Sequence, residues 1–386
     1  MEFRLSDYLK KLPPYLFVQI DQAKRQAIQE GRDLIDLGIG DPDQPTPEHI
    51  IKALSRAAND PANHHYALDA GMPKLRLEIA RWYKKIFQVN LDDKNEILPL
   101  IGSKEGIAHL PFAFLNQGDV SLVPDPGYPV YANATLLAGG EPYFMPLRAE
   151  NAFLPDLKEI PEAVLKKTKM MFLNYPNNPS AAVADKQFFQ RVIDFALKYQ
   201  IIVCSDLAYS QVCFDGYRAP SILEIDGAKE VAVEFHSLSK TYNMTGWRVG
   251  WVCGNQQVIA GLAKIKSNMD SGIFQAIQIA GIAALQTESE FTKQMCLMYA
   301  QRRDVLVAGL KNLGWNVEKP KASFYVWTKI SEEINSLEFA SIILKKADIV
   351  VTPGVGFGKY GEGYLRFALT KPEDKLKEAV KRLSLL

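Results

Sequence analysis

One short stretch of the sequence places a lysine among hydroxyl groups, with an arginine close behind it. Lys240 lies between Ser239 and Thr241, Ser237 precedes it, and Arg248 follows eight positions later. The apolar runs on either side indicate buried strands, where a charged and unpaired lysine would be costly. A lysine amine can instead form a Schiff base with an aldehyde, and hydroxyl groups beside an arginine suit a phosphate. Pyridoxal phosphate carries both groups, whereas the competing interpretation is a solvated loop lysine.

Short apolar segments alternate with helical segments through the middle of the chain. Strands are predicted at residues 120–123, 142–147, 170–174, 201–205, 231–235 and 248–252. This alternation predicts an α/β fold with an open, mostly parallel sheet covered by helices on both faces. Ligands of such sheets bind beyond the carboxyl ends of the strands. The candidate residues at those ends are Gly102, Tyr128, Asn178, Asp206 and Lys240.

The two ends of the chain predict a second, smaller α+β domain. A helical region at residues 273–314, either one long helix or two abutting helices, is followed by short strands and helices up to the C-terminus. We expect residues 1–45 to join this domain as an N-terminal segment and residues 281–386 to form the rest of it. Residues 46–280 would form the large domain, since 386 residues are too many for one typical core.

The composition is that of an ordinary globular enzyme and excludes several classes of protein. The chain has 47% hydrophobic and 23% charged residues and a net charge of +1, without a basic run that would predict nucleic acid or an anionic membrane as a partner. No apolar run approaches the roughly 18 residues of a membrane span, and residues 1–11 lack the apolar core of a signal peptide. The four cysteines form no C-x-x-C pair, which favours a cytoplasmic protein.

Two further patterns point to other kinds of site and are set aside. His64 and His65 are adjacent, but neither has a partner at metal-ligand spacing, so no metal site is predicted. Residues 356–361 fit G-x-G-x-x-G, but they lead into a predicted strand. A dinucleotide site needs a helix N-terminus at that point for the pyrophosphate, so we do not predict a nucleotide there.

Four motifs in chain order together resemble one family. They are residues 102–104 (GSK), 174–179 (NYPNNP), 205–209 (SDLAY) and 237–248. From about residue 34 to the C-terminus, the chain resembles the fold-type I, pyridoxal-phosphate-dependent aminotransferases of classes I and II. It departs from the family at Ser180-Ala181-Ala182, where most relatives have Thr-Gly, so the turn after Asn178 is left uncertain.

The resemblance implies a role for each of the candidate residues around the cofactor. Lys240 would carry the cofactor and move the substrate proton, with Asp206 and Tyr209 as its catalytic partners. Asp206 would pair with the ring nitrogen, and Tyr209 and Asn178 would hydrogen-bond the phenolic oxygen. Tyr128 would stack on the ring. The phosphate would be bound by Ser103, the Lys104 backbone, Ser237, Ser239 and Arg248.

The resemblance also implies small amino acids and 2-oxo acids as substrates, and a homodimer with shared sites. Arg366 would hold the substrate carboxylate, because its planar fork matches a carboxylate bidentately. The Gly40 backbone, Tyr128 and Asn178 would also contact the substrate. Tyr66 would reach the cofactor phosphate of the partner subunit, so that each subunit completes the other's site.

Residues 100–109 and 270–278 are most similar to the branch of this family that transaminates LL-diaminopimelate with 2-oxoglutarate in lysine biosynthesis. That substrate has an amino-acid group at each end, and burying either charge of the distal group unpaired would be costly. Lys104 and Tyr15 could bind the distal carboxylate, and Asp69 of the partner the distal ammonium. An aspartate, alanine or aromatic aminotransferase, a C–S lyase and a non-catalytic cofactor-binding regulator are the alternatives.

Overall fold

The computed structural model describes residues 3–12 and 17–386, without the side chains of residues 17–21 and 23. Tyr15, which was predicted to contact the substrate, lies outside the described residues. Within them, no helix is both long enough and apolar enough to cross a membrane.

The strands and α-helices are numbered in chain order. The strands β1 to β13 are Ile35–Asp36, Ile97–Leu100, Val120–Asp125, Glu141–Pro146, Thr168–Asn174, Ile202–Asp206, Ala232–Ser237, Gly250–Gly254, Asn316–Val317, Tyr325–Lys329, Ile349–Val350, Thr352–Pro353 and Tyr364–Ala368. The helices α1 to α15 are Asp7–Lys10, Phe17–Gln29, Glu48–Ala58, Pro73–Phe87, Ser103–Phe114, Val130–Leu137, Glu162–Leu165, Lys186–Tyr199, Ala228–Val231, Leu238–Thr241, Gln256–Met269, Gln275–Leu285, Ser289–Asn312, Ser336–Ala347 and Glu373–Leu383. The helical region predicted at residues 273–314 is thus divided into α12 and α13.

The large sheet has seven strands in the order β2-β8-β7-β6-β5-β3-β4. Strand β8 runs antiparallel to both neighbours, and the other pairs are parallel. The predicted α/β class with a mostly parallel sheet is therefore confirmed. The strand predicted from residue 248 begins at Gly250 instead, because Thr245–Trp247 form a 3-10 turn and Arg248 adopts a left-handed conformation with φ 57°.

Alternating residues of the large sheet are buried against two layers of helices. On one face, Met170, Phe172 and Phe235 pack with apolar side chains of α5, α6 and α11. On the other face, Met171 and Trp251 pack with apolar side chains of α4, α8 and α12. Because both faces are covered, most residues of the strands are apolar, which makes the strands recognisable in the sequence.

A second region combines the two ends of the chain. Strands β9, β10, β12 and β13 form an antiparallel sheet in the order β12-β13-β10-β9, and β1 pairs in parallel with β11. Ion pairs join Arg32 to Asp348 at 2.6 Å and Arg382 to Asp33 at 2.8 Å. The N-terminal segment therefore packs with the C-terminal region, and the division into domains at residues 45 and 280 stays a prediction.

The glycine-rich loop at residues 354–361 connects the small sheet to the end of β3. It forms two 3-10 turns that lead into β13, without an α-helix. Asp125 accepts hydrogen bonds from the backbone N–H groups of Lys359, at 3.1 Å, and Tyr360, at 3.0 Å. Gly358 has φ 128°, and a Cβ there would lie 2.1 Å from Asp125 Oδ1. The glycines thus allow the loop to pack on Asp125.

A buried carboxyl group on β7 connects several elements of the large domain. Glu234 has no exposed surface and accepts hydrogen bonds from Tyr83 Oη at 3.1 Å, Ser221 Oγ at 2.6 Å, Ser205 Oγ at 3.3 Å and Ile222 N at 3.0 Å. Burial raises the pKa of Glu234 to about 7, although these donors oppose the rise. The folded protein therefore binds a proton here at pH values where the unfolded chain has lost it.

We predict that Glu234 makes stability fall as the pH rises. A carboxyl group with a raised folded-state pKa stabilises the fold at low pH, and that stability is lost as the pH increases toward the folded pKa of about 7. Between pH 5 and 8, the free energy of unfolding of the wild type relative to Glu234→Gln should fall by about 2 kcal/mol. Urea denaturation at several pH values measures this difference. The exposed Glu230→Gln is the control, and its free energy of unfolding should change with pH as that of the wild type does. If Glu234→Gln also followed the wild type, the prediction would be wrong.

Candidate active site

One cavity of about 330 Å³ lies between the carboxyl ends of the large-sheet strands and the small sheet. The structure brings most of the predicted site residues to its walls: Gly40, Ser103, Lys104, Tyr128, Asn178, Asp206, Tyr209, Ser237, Ser239, Lys240, Arg248 and Arg366. Tyr66 and Asp69 are not among the lining residues. The sequence thus predicted where the cavity lies, and the role assigned to each residue stays a prediction.

Lys240 lies on the short helix α10, directly after β7. The Ser237 hydroxyl accepts a hydrogen bond from the Ser239 backbone N–H at 3.1 Å and so caps this helix. The Lys240 amine donates to the Gly40 carbonyl oxygen at 2.9 Å and lies 5.5 Å from the centre of the Phe324 ring. Burial lowers the pKa of Lys240 to about 8, so a neutral and nucleophilic amine is accessible near neutral pH.

Asp206 ends β6, the strand beside β7, and is 8% exposed. Its Oδ2 accepts a hydrogen bond from Tyr131 Oη at 2.7 Å, while its buried Oδ1 has no hydrogen-bond partner among the described residues. Burial raises the pKa of Asp206 to about 6, and the bond from Tyr131 opposes the rise. An unpaired buried carboxylate oxygen is costly, and a protonated ring nitrogen of a ligand is a donor that would satisfy it.

Arg366 is held rigidly on β13. Its Nη1 donates to Asn178 Oδ1 at 2.7 Å, and its Nη2 donates to the Gly38 carbonyl oxygen at 2.6 Å. The guanidinium carbon lies 4.2 Å from the centre of the Tyr325 ring and 4.7 Å from that of Phe357. Strand β13 is interior to its sheet, so Arg366, at 5% exposure, is a buried site residue and not a surface arginine on a sheet edge.

The N-terminus of α5 and Arg248 form a cationic end of the cavity. Ser103 is the first residue of α5, whose unpaired backbone N–H groups favour an anion. Arg248 packs against Gly102, where φ is 77° and a Cβ would lie 2.2 Å from the guanidinium. Arg248 Nη1 is held by the Thr245 carbonyl oxygen at 2.8 Å. Helix N–H groups, a hydroxyl group and an arginine are the groups that suit a phosphate.

The sequence departs from the family pattern in the turn after Asn178. In the structure this turn is closed by hydrogen bonds to Asn177. Ala181 adopts a left-handed conformation with φ 57°, which is usually left to glycine. The Asn177 carbonyl oxygen accepts from the Ala181 N–H at 2.9 Å, and Asn177 Oδ1 accepts from Ser180 Oγ at 2.7 Å. These bonds hold the turn despite a strain of roughly 1 kcal/mol, so the departure from the family pattern leaves Asn178 in the cavity.

Lys104, which was predicted to contact the substrate, lies at the cavity mouth. Lys104 is exposed, and its amine is 5.8 Å from the centre of the Tyr128 ring. Tyr209 lies deeper, where its hydroxyl group is 3.2 Å from that of Tyr325. The cavity therefore has a charged group near its opening and hydroxyl groups beside Arg366.

Tyr66 and Asp69 do not line the cavity of their own chain. Tyr66 is 93% exposed, and Asp69 is exposed beside it. The neighbouring Leu68 is 67% exposed and Phe274 is 43% exposed, so the segment carries apolar surface. Exposed apolar surface of this kind is typical of an interaction site.

Sequence reasoning missed three aromatic residues of the site. Tyr131 is one helical turn after Tyr128, a spacing that could have indicated its position. Phe357 belongs to the glycine-rich motif that was considered only as a nucleotide site, and it contacts Arg366. Tyr325 comes from a strand paired with β13, and only the register of the small sheet places it beside Arg366.

Comparison with known proteins agrees with this geometry. A sequence model of the family described as aminotransferase class I and II matches residues 32–383. The LL-diaminopimelate aminotransferase of Moorella thermoacetica is 54% identical, over 97% of this chain and 96% of that protein. The enzyme of the same name from Desulforudis audaxviator is 53% identical, over 99% and 98% of the two chains.

Solved structures give the same result. The substrate-bound BacF structure from Bacillus subtilis superposes with a TM-score of 0.95 at 39% identity, and covers 100% of this chain and 98% of its own. A single mutant of Thermus thermophilus aspartate aminotransferase superposes with a TM-score of 0.93 at 28% identity, over 100% of both chains. The chain is therefore an aminotransferase and belongs to the class I and II aminotransferase family.

Proposed function

We propose that the protein transfers an amino group from LL-diaminopimelate to a 2-oxo acid, 2-oxoglutarate, with pyridoxal phosphate as its cofactor. The observation that carries this proposal is the partly buried amine of Lys240 in one cavity with the unpaired Oδ1 of Asp206 and the guanidinium of Arg366. The substrate is supported by the names of the relatives, which are 49–54% identical to this chain over nearly its whole length.

The residues present fit pyridoxal phosphate at both of its polar ends. Asp206 Oδ1 would accept a hydrogen bond from the protonated ring nitrogen, and pairing with that cation would favour the ionised carboxylate. Ser103, Ser239 and Arg248 would hold the phosphate. When bound, the cofactor supplies an electron sink for the electrons of the substrate α-carbon.

The protein's own groups bind the substrate and move its proton. Arg366 presents a planar guanidinium that Tyr325 and Phe357 hold in place, and it would bind the α-carboxylate. Lys240 Nζ, with its pKa lowered to about 8 by burial, can take the α-proton as a general base near neutral pH. The Gly40 carbonyl oxygen, which accepts a hydrogen bond from this amine, helps to hold it in place.

The far end of the cavity supports a substrate with a second charged group. Lys104 is exposed at the mouth, 5.8 Å from the Tyr128 ring, where it could pair with a distal carboxylate. Asp69 of the partner subunit would pair with the distal ammonium. An aspartate-specific or aromatic-specific enzyme has no use for an acidic group at that place.

We further propose that the protein is a cytoplasmic homodimer whose subunits share their active sites. Tyr66 and Leu68 are largely exposed in the single chain, and a partner would bury them. The four cysteines are free thiols, and Cys204 and Cys253 are buried, which is typical of proteins of the reducing cytoplasm.

Lys240→Ala should lower kcat by at least about 10⁴-fold, because it removes both the covalent attachment of the cofactor and the proton carrier. Borohydride treatment of the wild type, followed by peptide mapping, should find the cofactor on Lys240. The exposed Lys264→Ala is the matched control and should retain the wild-type kcat. Near-normal turnover by Lys240→Ala would disprove the assignment.

The substrate is tested by comparing amino donors at a fixed concentration of 2-oxoglutarate. The wild type should prefer LL-diaminopimelate to aspartate, alanine and phenylalanine. Asp69→Asn keeps the shape of the side chain and removes its charge, so it should lower kcat/KM for LL-diaminopimelate by about tenfold while sparing donors with a single amino group. A wild type that prefers aspartate or phenylalanine would contradict the proposed substrate and leave the aminotransferase assignment intact.

The shared site is tested with hybrid dimers. Tyr66→Ala and Lys240→Ala subunits should each be nearly inactive alone, whereas co-refolded mixtures contain hybrids with one intact site. Random pairing makes half of the dimers hybrid, so activity should recover to about a quarter of the wild-type value. Homodimeric Tyr66→Ala with wild-type activity, or a fully active monomer by light scattering, would be incompatible with sharing.

A further inference from the structure

Four ionisable side chains meet beside the phosphate end of the cavity and do not line it. The Lys266 side chain is 1% exposed, and its amine donates to Asp270 Oδ1 and lies 3.5 Å from Glu105 Oε2. His109 Nδ1 is 3.0 Å from Glu105 Oε1 and 3.9 Å from Asp270 Oδ2. The two carboxylates and the histidine have the spacing of metal ligands, but the Lys266 ammonium already supplies a cation between the carboxylates.

Burying the Lys266 ammonium costs free energy, and the neighbouring carboxylates must offset that cost. Removing an ammonium from water costs several kcal/mol unless carboxylates compensate for it. Burial alone would raise the pKa of Glu105, but the hydrogen bond with His109 and the charge of Lys266 hold it below its ordinary value. Glu105 is thus an anion that Lys266 neutralises.

Glu105 connects the cluster to the phosphate end of its own cavity. Its Oε2, the atom nearest to Lys266, also accepts a hydrogen bond from the Ile101 backbone N–H at 2.9 Å. Ile101 lies between the end of β2 and Ser103, the first residue of α5. The position of the Glu105 carboxylate therefore fixes the turn that presents the helix N–H groups and Ser103.

Asp270 connects the cluster to the segment that bears Tyr66. It ends α11, and its backbone N–H donates to the Lys266 carbonyl oxygen at 2.9 Å. In the loop that follows, Gly272 packs so closely on the chain that a Cβ there would lie 2.3 Å from the Leu68 carbonyl oxygen. Asp270 thus anchors the loop against which residues 65–69 pack.

We infer that Lys266 is a positioning residue that holds the phosphate end of its own active site and, through Asp270, the segment that completes the site of the partner subunit. The second half of this inference rests on the proposed homodimer. Lys266 does not line the cavity, so we expect it to act only through Glu105 and Asp270.

Separate variants test the two connections. Glu105→Gln keeps the shape of the side chain and weakens the bond to Ile101, so it should raise the cofactor dissociation constant about tenfold, with KM for the amino donor within twofold of the wild type. Asp270→Asn should raise KM for the donor about fivefold at saturating cofactor, because it releases the segment that bears Asp69. Lys266→Met should show both effects. Absorbance titration of the apoprotein gives the dissociation constant without any activity measurement.

Lys264→Met, an exposed change on the same helix, is the matched control. If Lys266→Met and Glu105→Gln leave the cofactor dissociation constant within twofold of that control, the positioning role is wrong, even where their urea midpoints fall. If Asp270→Asn leaves the donor KM unchanged while the hybrid dimers are active, the connection to the partner is wrong and the shared-site proposal stands. If the hybrid dimers are inactive while Glu105→Gln still raises the cofactor dissociation constant, both the shared-site proposal and the partner half of this inference are wrong. The role of Lys266 in its own subunit then stands.

Discussion

The burial of one lysine amine at the end of β7 is the constraint on which the rest of the site depends. A charged lysine at this depth is costly, and the cost lowers the pKa of Lys240 to about 8. The fold must therefore place a hydrogen-bond acceptor and the other groups of the site close to that amine. The parallel order of the sheet does this, because β5, β6 and β7 end side by side with Asn174 paired to Asp206 in register.

The second requirement is an arginine that cannot move away from the cavity. Arg366 comes from the small sheet, and its partners come from elsewhere: Asn178 follows β5, and Gly38 follows β1. Strand β1 is itself placed by its pairing with β11. The site is therefore assembled from three distant parts of the chain, and the packing of the chain ends on each other is a condition for the position of Arg366 in the cavity.

The sequence could predict the parts of the site that follow a strand directly. Asp206 is the last residue of β6 and Lys240 lies three residues after the end of β7, so the parallel α/β pattern alone places them at the same edge. Tyr325 and Phe357 could not be predicted in this way, because they reach Arg366 only through the register of the small sheet and the docking of a loop on Asp125. Their positions are a result of tertiary packing and leave no local pattern.

The same holds for the fold: features with a local sequence pattern could be predicted, and features set by tertiary packing could not. The antiparallel direction of β8 was not predicted, since a buried strand is equally apolar in either direction. Its start was placed two residues early because Arg248, which is left-handed at φ 57°, reads in the sequence as a continuation of the strand. The roles of Tyr66 and Asp69 are predicted from the family resemblance alone, since neither residue lines the cavity of its own chain.

The charges around the cavity explain why a ligand with several negative groups suits it. The side chains at its walls include the cations Lys104, Lys240, Arg248 and Arg366 and the acid Asp206. The charges of Arg248 and Arg366 lower the pKa of Lys240 further, after burial and against the opposing charge of Asp41. A phosphate beside Arg248 and a carboxylate beside Arg366 would offset this repulsion. The cations that repel one another in the protein alone would therefore favour the binding of an anionic cofactor and an amino-acid substrate.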